Sequence, residues 1–142
     1  MIVVDHALDL GGYLDTELES PTVTVSDDMI TRFVALSGDR QWIHTAAADA
    51  RIVPGNLLIS LIPQLMQGTF DVSGMQRALT VKYDAVRFLS PLHVGAGVRA
   101  RITVTDVRRR DGGTFVRVSV VLIDAADQRE ILRCQVVDKY ED

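Results

Sequence analysis

Cysteine is nearly absent. Cys134 stands alone among 142 residues, so no intramolecular disulfide can form, and a reducing intracellular setting is expected. Long hydrophobic runs are missing too: the longest, residues 57–66, is interrupted by Ser60, Pro63 and Gln64 and is too short to span a bilayer. The opening residues Met1-Ile2-Val3-Val4-Asp5-His6 lack the basic start and apolar stretch of a signal peptide. A cytoplasmic protein with no membrane partner is therefore expected. Positive charge is not in excess, because 15 Lys and Arg stand against 19 Asp and Glu. That balance argues against nucleic acid and anionic membranes as partners, although a local basic patch can still hold a small anion.

What is present is the balance of a globular protein: 47% hydrophobic and 24% charged residues. The length fits one domain over residues 1–142. Residues 1–20 show weak periodicity and read as turns with a short helix. Thr22-Val23-Thr24-Val25 reads as a short strand. Ser26 is then a good N-cap, and Asp27 and Asp28 favour the positive end of the following helix. Met29, Ile30, Phe33 and Val34 share one face of that helix, and Gly38 suits its left-handed C-terminal position. Residues 39–53 read as loop or one helical turn, with Ala46-Ala47-Ala48 able to support the turn.

A second helix is expected over residues 56–67, where Leu57, Leu58, Leu61, Ile62, Leu65 and Met66 form a broad apolar stripe. Pro63 predicts a kink or a break there, and residues 70–74 read as a loop. The remaining chain has strand composition over residues 78–88, 98–109, 114–124 and 130–140. In the second of these Val98, Ala100, Ile102 and Val104 alternate with polar residues, as in a half-buried strand. Asp111-Gly112-Gly113 is a hairpin turn between the second and third. The class is α+β: two helices, the second central, followed by an antiparallel meander.

Chemistry concentrates in Ser37-Gly38-Asp39-Arg40-Gln41-Trp42-Ile43-His44. A carboxylate and an imidazole five positions apart, where a helix stops, suit general acid–base work on a shared water. The same residues also suit a capping Asp39 and an ordinary loop His44, and the residues alone leave both readings open. His6 and His93 have no partners at ligand spacing, so no metal is expected. Arg108-Arg109-Arg110 reads as a solvated strand end more than a phosphate or carrier-protein contact.

Phe33-Val34-Ala35-Leu36-Ser37-Gly38-Asp39, then Ile43-His44, then Gly55 opening a buried helix, resembles the signature of the MaoC-like hydratases. These are (R)-specific enoyl-CoA hydratases and dehydratases of the hot-dog fold. Gln41-Trp42-Ile43-His44 and Leu61-Ile62-Pro63 are closest to the NodN-like branch, and Val86-Arg87-Phe88-Leu89-Ser90-Pro91-Leu92-His93-Val94-Gly95 resembles the family's strand and turn after the helix. The resemblance runs from about residue 10 to residue 140.

It implies an antiparallel sheet wrapped around the central helix, in a homodimer whose sheets are continuous. It implies hydration of a trans-2-enoyl thioester, or dehydration of the (R)-3-hydroxyacyl thioester, carried on coenzyme A or an acyl carrier protein and needing no cofactor. Asp39 and His44 match the catalytic pair, and Gly55 matches the glycine whose backbone N–H receives the thioester oxygen. Ser60 aligns with an active-site serine that follows this glycine, and Asn56 stands where an apolar residue or Met is usual. Alternative readings are a hot-dog thioesterase and a catalytically silent acyl-binding subunit. The segment between His44 and Gly55 is shorter than is usual in the family, and Pro54 replaces a common histidine. Both departures imply a remodelled pocket.

Overall fold

The computed structural model describes residues 1–45 and 51–142. The helical turn expected over Ala46-Ala47-Ala48 lies outside the described residues. The opening segment holds strand β1 (Ile2–Val4), a 3₁₀ helix (Ala7–Tyr13) and strand β2 (Glu17–Glu19), followed by β3 (Val23–Thr24).

Helix α1 spans Asp27–Ser37. Ser26 caps it by accepting the Met29 N–H at 3.2 Å. Gly38 ends it in the left-handed region at φ 74°, with its N–H donating to the Val34 carbonyl. Asp39 is thus delivered just past the end of a short rigid helix. A 3₁₀ turn, Trp42–His44, follows.

Helix α2 spans Gly55–Gln67 and buries the whole expected stripe: Leu57, Leu58, Leu61, Ile62, Leu65 and Met66. Each such side chain contributes roughly 1.5–3 kcal/mol of burial. The expected break at Pro63 does not occur, for the helix runs on for four more residues. Pro63 sits on the exposed side, so its ring disturbs none of the packed positions. Among the described residues no helix is long and apolar enough to cross a membrane.

Strand β4 (Phe70–Val72) occupies the segment expected to be loop, and it pairs in parallel with β1. Four long strands complete the chain: β5 (Arg77–Phe88), β6 (Gly97–Arg110), β7 (Gly113–Asp124) and β8 (Glu130–Glu141). The six-stranded sheet has the order β2-β6-β7-β8-β5, with β3 also on β6. The expected meander therefore holds only for β6, β7 and β8. The chain after β5 crosses over before β6 begins, so β5 pairs with the last strand instead of the next one. The inner face of the sheet joins α2 in one hydrophobic cluster that includes Ile102, Val118 and Leu132. The sheet wraps the helix, and residues 89–96 pass beside the start of α2.

Candidate active site

The segment Arg51–Val53, just before α2, is pinned on two sides. Ile52 N–H donates to the Ile43 carbonyl at 2.8 Å, while Val53 N–H donates to the Leu92 carbonyl and Val94 N–H to the Arg51 carbonyl. This small hydrogen-bonded patch fixes the 3₁₀ turn, the crossover after β5 and the start of α2 relative to one another. His44 sits at its centre, nearly buried.

The imidazole has one orientation and one tautomer. Its Nδ1 lies 2.7 Å from the Ile52 carbonyl oxygen. A carbonyl can only accept, so Nδ1 carries a proton, and in the neutral ring Nε2 is the acceptor. Nε2 lies 3.8 Å from Oδ2 of Asp39, whose side chain is 36% exposed. That distance is too long for a direct hydrogen bond and short enough for one water to bridge. The other carboxylate oxygen accepts the Gln41 N–H at 3.1 Å, so Asp39 is aimed by the turn that follows it. Two acceptors that share a water hold both its protons, which leaves a lone pair on the water oxygen directed outward.

A cavity of about 480 Å³ opens on this pair. It is lined by Asp39, His44, Ile52, Val53, Pro54, Gly55, Asn56, Leu58 and the stretch 88–92. Polar and apolar groups share its walls in nearly equal measure, so it offers both a packing surface and fixed hydrogen-bonding groups to a small organic ligand. At its floor α2 begins. Leu57 and Leu58 N–H both donate to the Pro54 carbonyl, whereas no described acceptor takes the Gly55 or Asn56 N–H. These two donors lie at the positive end of the helix, where they can receive an oxygen carrying negative charge.

Asp39, His44, Gly55 and Asn56 therefore meet in one cavity. Ser60 does not line it: its side chain donates to the Leu57 carbonyl at 2.7 Å on an exposed turn of α2. Arg108-Arg109-Arg110 finds local partners, with Arg108 on Asp106 at 2.9 Å and Arg110 5.5 Å from the Phe115 ring centroid. Cys134 is buried, and burial pushes its thiol up to about 11, so it holds no thiolate for chemistry.

Two contributors were not read from the sequence. Phe88, at the end of β5, lies against Gly55. Arg51 is buried, and its Nε donates to the His44 carbonyl at 2.7 Å. The available signal for Arg51 was a charged residue placed directly before the apolar pair Ile52-Val53 and a buried helix.

The chain matches the model of the MaoC-like domain family over residues 10–126. It is 32% identical over 103 residues to a protein of Mycobacterium tuberculosis described as 3-hydroxyacyl-thioester dehydratase Z, covering 68% of each chain. It is 26% identical over 125 residues to nodulation protein N of Rhizobium meliloti, covering 78% of this chain and 74% of that one. Among solved structures, an unliganded R-hydratase of Pseudomonas aeruginosa superposes with a TM-score of 0.72 at 18% identity, covering 91% of this chain and 82% of the other. An (R)-hydratase of A. caviae gives a TM-score of 0.67 at 20% identity, with 89% and 95% covered. The fold is the hot-dog fold, and the chain belongs to the MaoC-like dehydratase family of lyases.

Proposed function

We propose that this protein adds water reversibly across the trans-2 double bond of an acyl thioester, giving the (R)-3-hydroxyacyl thioester, with Asp39 and His44 as the acid–base pair. The observation that carries the reading is the 3.8 Å separation of Asp39 Oδ2 and His44 Nε2 in a cavity floored by the free end of α2. The relatives named as thioester dehydratase and R-hydratase support the same reaction class.

The chemistry follows from the geometry. The pair holds one water by both protons. One of the two takes a proton as the water oxygen attacks the β-carbon, and electrons shift through the conjugated system onto the thioester oxygen. Gly55 N–H, with Asn56 N–H beside it, receives that oxygen and stabilises its charge. A proton then returns from the pair to the α-carbon. Both transfers come from one side of the substrate, so the addition is syn. Dehydration is the same path in reverse.

The substrate is an acyl group on coenzyme A or on a carrier protein, and residues 1–142 act as one domain in the cytoplasm, which suits a lone buried cysteine. The protein works as a homodimer. Strand β5 lies at one end of the sheet with Leu79 43% and Val81 47% exposed. A twelve-residue edge strand that carries exposed apolar side chains among its charged ones calls for a partner strand, and a second copy supplies one in a symmetric pair.

Crotonyl-CoA incubated with the protein tests the reading. Formation of (R)-3-hydroxybutyryl-CoA is expected. Release of free thiol with no hydroxyacyl product would assign a thioesterase instead.

A further inference from the structure

We infer that Arg51 is a positioning residue that holds the His44 imidazole in its working tautomer and at its working distance from Asp39. This assignment rests on the acid–base role proposed for that pair. Arg51 has only 5% of its surface exposed, and two of its guanidinium nitrogens make hydrogen bonds. Nε donates to the His44 carbonyl at 2.7 Å. Nη1 donates to the Asp27 carboxylate at 2.6 Å, to the Asp27 carbonyl at 3.2 Å and to Thr31 Oγ1 at 3.0 Å.

The significance lies in what these partners carry. Asp27 and Thr31 belong to the first turns of α1, and Asp39 follows the last turn of the same helix. The backbone of His44 is thus tied by Arg51 to the element that ends at Asp39. Both members of the pair hang from one rigid helix, one directly and one through the guanidinium. On its other side, the residue after Arg51 provides the carbonyl that fixes the Nδ1 proton. A shift of the Arg51 backbone therefore moves Ile52 O and the His44 carbonyl together. The side chain acts through His44 and touches no reacting atom.

A planar fork is required for this. Its Nε and Nη1 donate to two places at once, whereas a lysine ammonium at the same depth reaches one of them. The buried charge also needs its anionic partner, and Asp27, 68% exposed at its side chain, supplies it.

The test uses Arg51→Lys, which keeps the charge, and Asp27→Asn, an isosteric change at an exposed position of α1. Two measurements are made on each folded variant: steady-state hydration of crotonyl-CoA across pH, and ¹⁵N NMR of the His44 ring. Wild type should show the neutral ring as a single tautomer, with the proton on Nδ1 and none on Nε2. In Arg51→Lys the ring should become a mixture of tautomers, kcat should fall about 10–100-fold with KM held within threefold, and the acid limb of the kcat profile should move. Asp27→Asn should shift the same observables less. If Arg51→Lys keeps the wild-type ring spectrum and pH profile, the positioning role is overturned, whatever happens to kcat. The ring spectrum reads Arg51 even if wild type hydrates no thioester, so failure here is distinct from failure of the hydratase reading.

Discussion

Phe88 lies close against Gly55: a Cβ built on Gly55 would come within 2.5 Å of the ring's Cε1. The glycine is required by this close approach and not by backbone strain, since α2 starts in ordinary helical geometry. The ring covers the end of the helix whose N–H groups face the cavity. Gly55→Ala should therefore push Phe88 aside at little cost in stability, because the ring is 56% exposed and free to move. Hydration should fall at least about tenfold, as the wall beside the oxygen-binding donors is lost. Phe88→Ala alone should lower hydration for the same reason, Gly55→Ala should cost less in that background than in wild type, and a double-mutant cycle on kcat/KM should give a coupling of about 0.5–3 kcal/mol. Strict additivity would separate the two residues.

Asp39→Asn and His44→Ala should each reduce kcat for hydration at least ~10²-fold, the lower end of general acid–base contributions. They should differ in stability. Asp39 is half exposed and its change is local, whereas His44→Ala removes the donor to the half-buried Ile52 carbonyl, at a cost of about 0.5–1.5 kcal/mol. Denaturant titration beside the kinetics checks both halves of this expectation.

Much of this architecture was legible because it is written in local pattern. Ser26 and Gly38 mark α1 by cap chemistry, and the stripe from Leu57 to Met66 marks α2 by period. Val98, Ala100, Ile102 and Val104 mark the inner face of β6 by alternation. What escaped depends on distant pairing. β4 is a three-residue strand that exists only because β1 lies beside it. The position of β5 next to β8 is decided by where the chain crosses over, which no residue in β5 announces. The pair Asp39 and His44 was legible as chemistry, but Arg51 meets Asp27 across 24 positions and Phe88 meets Gly55 across the fold. Ser60 shows the converse: the resemblance placed it with the site, and its hydroxyl turns back to its own helix.

The β5 edge should be the dimer contact. Leu79→Glu combined with Val81→Glu places like charges on both copies of a paired edge, so light scattering at micromolar concentration should change from dimer to monomer. Hydration should fall with it if the partner helps close the cavity, whose wall includes Phe88 at the end of the same strand. A monomeric wild type would refute the assembly.

Asp138 predicts an unusual pH dependence of stability. It lies on the inner side of β8, and burial raises its carboxyl above the usual carboxylate range, outweighing a hydrogen bond from Thr80 that acts the other way. Among the described residues its Oδ1 has no hydrogen-bond partner. Because the folded state disfavours the ionised form, the folded chain binds the proton more tightly than the unfolded one. The contribution of Asp138 to stability is therefore complete below the ordinary carboxylate pKa, and it is lost as pH rises through the raised value. Most structural carboxylates behave in the opposite sense. Asp138→Asn removes the penalty at neutral pH, and Tm at pH 7 should rise by roughly 2–5 °C, the shift that about 1 kcal/mol produces in a domain of this size. The gain should shrink as pH falls and vanish below about pH 3, where the wild-type carboxyl is protonated in both states. Thermal melts of both proteins across pH check this, and a Tm difference that stays constant from pH 3 to pH 8 would show that charge burial at Asp138 is not its cause.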